Sequence, residues 1–340
     1  MPAAVYEGRG RLAVRELPVP PVGPDEVLVE VSHCGICGTD LHLVLEERAR
    51  PGSVLGHEWS GTVAARGARV EGWEVGAPVV ATPLLGCGEC RACRRGRPSV
   101  CLRRAPPDYL AFRGAFTRYV TVAASRLASL PPGLSTRAAA LTEPTAIALH
   151  AVALGAAGPG DRVLVSGAGP VGLLVTAVLR AQGVDDVTVV EPSAVRRARA
   201  LAVGAAAAVP PSELAVPRMG LPVDDPFTVV LECSGNAAGA AAALDQLDFA
   251  GTLVFVGTGH DPTPVNHNRV IILELTLVGA YNYGADGFGT ALALLAGGRL
   301  PLDALIEPGD IPLNALAATM QALARAEIAG KVLVRPEVAP

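Results

Sequence analysis

The seven cysteines, at 34, 37, 87, 90, 93, 101 and 233, are the residues best able to carry chemistry in this chain. Four of them share one stretch, GCGECRACRRGRPSVC, with the spacing Cys87-x2-Cys90-x2-Cys93-x7-Cys101. Four thiolates so spaced can converge on one tetrahedral zinc, leaving no position for a substrate; such a site is structural. The stretch is full of Gly and Arg and cannot build a core of its own, so a metal would fix it in place. Two disulfides or plain thiols are the alternative, disfavoured in a reducing compartment. Arg91, Arg94, Arg95, Arg97, Arg103 and Arg104 lie in or beside it. With no interleaved aromatics and no basic domain around them, they read as solvent-facing charges that offset the thiolates, not as a nucleic-acid footprint.

A second set is dispersed: GICGTDLH at 35–42, GHE at 56–58 and TEP at 142–144. Cys37, His57 and Glu143 could supply one sulfur, one nitrogen and one oxygen ligand, leaving a fourth zinc position open for water or substrate as a catalytic site requires. Spacing alone carries this weakly, because the parts are far apart. Cys34-x2-Cys37 reads equally as a redox pair, although Cys34 stands beside an expected strand and is read as buried. A third set is local. Gly167-x-Gly169-x-x-Gly172 follows the apolar run RVLVS and opens, with Pro170 and Val171, the helical run VGLLVTAVLRAQG. In that setting the first glycine makes the tight turn, the second lets a pyrophosphate approach the backbone, and the third lets helix pack on strand. Glu191 ends the next strand, where an acid accepts from ribose hydroxyls and repels a 2′-phosphate. That favours NAD over NADP, although Arg196 and Arg197 follow closely, and the turn at Pro192 and Ser193 can aim Glu191 elsewhere. ECSG (232–235) and VGTG (256–259) close two further strands. Ser234, Val256 and Gly257 are thus candidate nicotinamide-side contacts.

These groups need a frame, and the chain has three textures. Residues 1–145 carry short β-type runs (26–31, 61–65, 78–81, 118–122) broken by Gly and Pro. Residues 146–284 alternate apolar, β-branched runs (162–166, 186–190, 228–231, 252–256) with helical ones (171–182, 194–203), which implies a parallel sheet covered on both faces. The last part holds helical runs at 288–296 and 313–326 and a strand at 331–334. With 340 residues, two domains are expected. Half of the residues are apolar and 18% are charged, as in a globular protein, and the net charge of −4 offers no general attraction to nucleic acid or anionic membrane. No run approaches the ~18 apolar residues of a membrane span. The N-terminus lacks a signal-peptide pattern, so a cytoplasmic location is expected.

The segments HCGICGTDLH, VLGHEWSG, the four-cysteine stretch, TEP and SGAGPVG occur in the order and at about the spacing of the zinc-containing medium-chain alcohol dehydrogenases. The chain resembles that family along essentially its whole length, most closely the sorbitol, butanediol and threonine dehydrogenase branch. The resemblance implies an α/β protein: a GroES-like, β-rich catalytic domain (1–145, with 285–340 returning to it) and a doubly wound Rossmann domain (146–284), with the active site in a cleft that closes on the cofactor. It implies two zinc ions, a catalytic one on Cys37, His57 and either Glu58 or Glu143, and a structural one on Cys87, Cys90, Cys93 and Cys101. Asp40 would orient the zinc-bound histidine; it can equally cap the helix LHLVLEE. Thr39 would accept the substrate's proton and His42 pass it towards solvent through the cofactor ribose, as zinc acidifies the alcohol and the alkoxide expels hydride. Arg196 matches a basic position that contacts the adenosine ribose.

The activity implied is interconversion of a secondary alcohol and a ketone with NAD, on a polyol, cyclitol, sugar, vicinal diol or threonine-type amino alcohol, by a homodimer or homotetramer. Trp59 and Tyr281 are candidate pocket residues, while Pro107–Gly114 departs from the family's usual wording. His33, His150, His260 and His267 carry no comparable pattern and read as structural. A zinc-free quinone or enone reductase on the same fold would lack both cysteine sets. A non-catalytic NAD-binding relative would have lost ligands or relay residues, and none is missing here.

Overall fold

The computed structural model describes residues 1–82, 86–103, 113–218, 220–259, 261–284 and 286–337. Arg104, His260 and positions 107–112, discussed above, lie outside them. The chain opens with a hairpin, β1 (Pro2–Gly8) and β2 (Arg11–Glu16), then β3 (Glu26–Gly35), α1 (Gly38–Leu45), β4 (Glu58–Arg66), β5 (Pro78–Ala81), a one-turn α2 (Arg91–Arg94), β6 (Tyr119–Ala123), β7 (Leu127–Ser129) and a short α3 (Thr136–Ala139). Next come α4 (Thr142–Gly155), β8 (Arg162–Ser166), α5 (Pro170–Ala181), β9 (Asp186–Val190), α6 (Ala194–Val203), β10 (Ala207–Val209), β11 (Phe227–Glu232), α7 (Ala237–Leu244), β12 (Leu247–Phe255), α8 (His267–Ile272) and β13 (Thr276–Gly279). The last elements are α9 (Gly287–Ala296), α10 (Leu302–Leu305), α11 (Leu316–Ala324) and β14 (Leu333–Val334).

The middle region folds into a parallel sheet of order β10-β9-β8-β11-β12-β13, the doubly wound arrangement. Alternation along each strand divides the side chains between two faces. Val163, Val165, Val187 and Val189 join α4, α5 and α9 in one core. Leu164, Val190 and Val230 face the other way, against Ala243 and Leu244 of α7. Burial on both sides explains why these strands read as unbroken apolar runs. The first region forms an antiparallel sheet, β14-β3-β4-β5-β7, with β6 also on β3. Among the described residues no helix is long and apolar enough to cross a membrane.

Three strand ends meet in the antiparallel sheet. Gly35 at the end of β3 is opposite Glu58 at the start of β4, and Leu333 of β14 is opposite Gly35. Cys37, His57 and Lys331 flank those ends, so residues from three distant stretches arrive together.

α4 begins at Thr142 and runs across positions 145 and 146; Pro144, in its first turn, needs no backbone donor there. α9 faces both regions: Phe288, Ala291 and Leu292 pack with Val80 and Ala139. Leu294, Leu295, Leu300, Leu305 and Ile306 pack in the Rossmann core; Leu313, Leu316, Met320 and Leu323 are the ones that join the other. Asp40 is the third residue of α1, not its cap. Cys37 occupies the cap position, and its N–H donates to Asp40 Oδ2 at 3.0 Å.

One polar cluster joins β3, α3 and the 306–311 loop. His33 Nε2 lies 3.3 Å from Asp310 Oδ2, and Arg137 Nε donates to Asp310 Oδ1 at 2.9 Å. Burial holds the His33 pKa below its ordinary value, although Asp310 opposes this. The folded chain therefore takes up a proton here less readily than the unfolded chain. This contribution to stability is complete above the unfolded pKa of about 6.5 and is lost as the pH falls below it. Melting temperatures at pH 7.5 and 5.5 should differ less in His33→Gln than in the wild type; equal differences would remove His33 as a source of acid sensitivity.

Candidate active site and metal centres

In the lobe between β5 and β6, Cys87 Sγ lies 3.9 Å from Cys93 Sγ, and Cys90 Sγ lies 3.9 Å from Cys101 Sγ. All four sulfurs fall within 4.8 Å of one another, and none is in a disulfide. Tetrahedral zinc with bonds of about 2.3 Å needs sulfurs about 3.8 Å apart, so the quartet fits. Backbone N–H groups of Cys87 and Arg103 point at Cys101 Sγ (3.4 Å each), and that of Cys90 at Cys87 Sγ (3.3 Å). Amides of Cys93 and Leu102 bring the Cys90 thiol down to about 6, while burial and the neighbouring Cys90 thiol push Cys93 up to about 11, so proton affinity is spread unevenly over the quartet.

The second cluster comprises Cys37, His57 and Glu58, whose ligand atoms also lie within 4.8 Å of one another. Asp40 is fully buried behind it. Its Oδ1 accepts from Gly56 N–H at 3.3 Å and stands 3.7 Å from His57 Nδ1. Burial opposes a positive charge on His57, but Cys37 and Asp40 outweigh it and hold the imidazole pKa well above its usual value. The surroundings are thus arranged to stabilise positive charge at this point, which suits a metal cation as well as a proton. Glu143, on the first turn of α4, is buried but outside the 4.8 Å group. Its carboxyl is pushed up to about 7, first by burial, then with His57 pulling down and Glu58 pushing up.

Glu58 has a partner that sequence reasoning missed. Lys331 Nζ donates to both Glu58 oxygens, at 2.8 and 2.6 Å, and to Ile36 O at 2.9 Å. The side chains are 2% and 1% exposed. The ammonium's three donors are all satisfied. Gly35 makes room for the pair, since a Cβ there would meet Glu58 and Lys331 Cδ. The signal in the sequence was a lysine opening an otherwise apolar final strand.

A cleft of about 960 Å³ runs between the two regions. Cys37, Leu41, His42, Glu46 and Lys331 border one wall; Gly167, Gly169, Pro170, Val171, Glu191 and Ser234 border the other. Gly167 has φ +96°, and a Cβ on it would come within 2.9 Å of Ser234. Gly169 caps α5 and a Cβ there would meet nothing within 4 Å, so its backbone is open to a phosphate at the helix N-terminus. Gly172 packs directly against Gly167 O. This turn fits a dinucleotide.

The other expected contacts divide. Thr39 sits on the first turn of α1, half-buried, two residues past Cys37. Glu191 borders the cleft, but its carboxylate already accepts from Ala168 N–H and Ser193 N–H, each at 2.9 Å. Arg196 also borders it, yet its guanidinium donates to Leu323 O (2.8 Å) and Ile328 O (3.2 Å), across to the end of α11. Arg197 turns back onto the carbonyls of Glu191 and Pro192. Val256 and Gly257 are not among the described residues bordering the cleft; both amides donate to Glu232 O at 2.8 Å. Glu232 was also missed: buried, it accepts from Ser234 N–H and Oγ–H and from Gly235 N–H. Tyr281 is half-exposed, and Trp59 packs on the catalytic core.

Comparison with known proteins agrees with this arrangement. Residues 23–132 match the alcohol dehydrogenase GroES-like domain, and residues 170–297 match the zinc-binding dehydrogenase family. Sorbitol dehydrogenase of Bacillus subtilis is 32% identical over 311 residues, 88% of this chain and 86% of that one. L-threonine 3-dehydrogenase of Pyrococcus horikoshii is 35% identical over 306 residues, 86% of each. A protein of Sinorhizobium meliloti 1021 described as a zinc-binding dehydrogenase, solved with NADP bound, superposes with a TM-score of 0.87 at 31% identity, covering 98% of this chain and 99% of that one. The chain belongs to the zinc-containing medium-chain alcohol dehydrogenase family. It is an oxidoreductase that moves hydride between an alcohol and a nicotinamide cofactor.

Removing one partner of a buried ion pair leaves the other charge unpaired. Lys331→Met should therefore cost about 3–5 kcal/mol in urea denaturation, and Lys331→Met with Glu58→Gln should recover much of that. A single variant as stable as the wild type would mean the pair does not hold β14 in place.

Proposed function

We propose that the chain oxidises, or forms by reduction, a secondary alcohol with a neighbouring hydroxyl or amino group, using NAD. One observation carries the reading: Cys37 and His42 border the same cleft as the glycine turn Gly167–Gly172. Sorbitol is a polyol and threonine an amino alcohol, and relatives named for both align with most of the chain. Bound zinc supplies the Lewis acidity that acidifies the alcohol, and bound nicotinamide the hydride acceptor. Cys37 and His57 hold the metal, and Asp40 orients His57. Glu58 has a ligand atom within 4.8 Å of those of Cys37 and His57, but its charge is already balanced by Lys331, so Glu143, directly or through one water, is the carboxylate left to balance the metal as third ligand. Thr39 takes the hydroxyl proton and His42 hands it on. Cys87, Cys90, Cys93 and Cys101 hold a second, structural zinc. The thiolate sets suit a reducing compartment, in keeping with a cytoplasmic enzyme.

NAD is favoured over NADP by the fate of three side chains. Glu191 places a carboxylate at the ribose end, while Arg196 and Arg197 are both occupied by backbone carbonyls. The NADP in the Sinorhizobium meliloti protein makes the comparison worth measuring. The zinc-loaded protein, assayed on sorbitol, 2,3-butanediol, threonine, cyclitols and simple secondary alcohols, should turn over a vicinal diol or amino alcohol with NAD ahead of NADP. It should hold two zinc ions. Cys37→Ala should lose one ion and all turnover, and Glu143→Ala should weaken zinc binding more than Glu58→Gln does. Preference for NADP would overturn the cofactor reading. Full turnover in Cys37→Ala would overturn the zinc reading.

The chain also assembles with itself in this proposal. β13 ends its sheet and leaves one edge for pairing. Phe249, Ile271 and Ile272, which begin β12 and end α8 beside it, are 56%, 67% and 52% exposed. A second copy related by a two-fold axis would pair the edge and cover that apolar surface. Light scattering should give a dimer or tetramer, and Phe249→Asp with Ile271→Asp should shift it to monomer. An unchanged mass would place the interface elsewhere.

A further inference from the structure

His42 and Glu46 stand one turn apart at the end of α1, and both border the cleft. His42 Nδ1 lies 2.7 Å from Glu46 Oε1. A carboxylate offers only acceptors, so at this distance Nδ1 carries the proton and the lone pair of the neutral ring is on Nε2. The i,i+4 spacing brings the two together. The backbone at Glu46 is tied down, since its N–H caps the helix on Val44 O. About a third of each side chain is exposed, which puts the pair at the mouth of the cleft where water can reach it. An exposed pair of this kind adds little to stability, so stability does not explain its position.

The charged groups nearby have other commitments. Arg48 Nε is 3.4 Å from Glu46 Oε2. Glu191 is held by Ala168 and Ser193, Arg196 by Leu323 and Ile328, and Lys331 by Glu58. Arg325 and Glu327, just past α11, pair with each other. Among the described residues bordering the cleft, Glu46 is the carboxylate placed to serve His42.

We infer that Glu46 is a positioning residue for the proton path: it fixes His42 in the Nδ1–H tautomer, so that Nε2 takes the proton leaving the alcohol. The proton that enters at Nε2 leaves from Nε2 to water, which restores the Nδ1–H ring, and no electrons move. The inference rests on the reading of His42 as the relay.

The test uses the full-length, zinc-loaded protein labelled with 15N. Long-range proton–nitrogen spectra, with His42→Gln for assignment, should show His42 as the Nδ1–H tautomer. In Glu46→Ala the Nε2–H form should appear. With the alcohol found active above, kcat of Glu46→Ala and of the isosteric Glu46→Gln should fall about tenfold, less than the loss expected on removing an acid–base group outright. KM for NAD should be unchanged, and the rate should become sensitive to buffer concentration as small bases replace the relay. Glu46→Gln serves if the alanine variant folds poorly. An Nε2–H tautomer in the wild type would overturn the inference. So would wild-type kcat and buffer insensitivity in both Glu46 variants while His42→Gln is slow. If His42→Gln itself keeps full rate without buffer response, the relay reading fails, and the inference with it.

Discussion

Lys331 and Glu58 form a buried ion pair on which the catalytic end of the molecule is organised. Two charges taken out of water are held only where geometry satisfies them completely. Here the ammonium has three acceptors, and both carboxylate oxygens face it. The pair fixes the start of the last strand against the ends of β3 and β4, where Cys37 and His57 emerge. A metal site whose ligands come from separate stretches needs this kind of clamp, because no local turn could hold the ligands together.

The same C-terminal segment reaches the other domain. Arg196 and Ser193 of the Rossmann region donate to carbonyls of Leu323, Ala326 and Ile328 beyond the middle of α11. These bonds lie beside the end of the cleft bordered by Glu191. Residues 323–331 therefore link the two walls: one end is tied to α6 and the other to Glu58. Strain or loosening in this segment would be felt on both walls of the cleft.

What could be read from the sequence follows how local each feature is. The four-cysteine lobe and the Gly167–Gly172 turn are self-contained, and their spacing alone states their geometry. The parallel strands were legible because burial on both faces writes itself as an apolar run. Lys331 was not legible, because its partner is 273 positions away and a single lysine at a strand start reads as a surface charge. The partners of Arg196 were not legible for a related reason: tertiary packing gives its guanidinium two carbonyls across the cleft. For Asp40 the alternative of a helix cap fails because α1 starts earlier than the apolar run suggests, with Cys37 at the cap position.

The charge balance around His57 explains why such a cluster calls for a dication. Three carboxyls, Asp40, Glu58 and Glu143, and the Cys37 thiol surround one imidazole, and Lys331 is the single buried ammonium among them. Isolated buried charge is too costly to persist, so groups in such a setting either neutralise or find a counter-ion. Both His57 and Glu143 therefore favour a proton: Cys37 and Asp40 raise the affinity of the imidazole, and burial raises that of the carboxyl. A divalent metal can replace both protons and release the carboxyl to act as a ligand. Metal affinity and acidity are then one property of this site, set by how far Lys331 already satisfies Glu58.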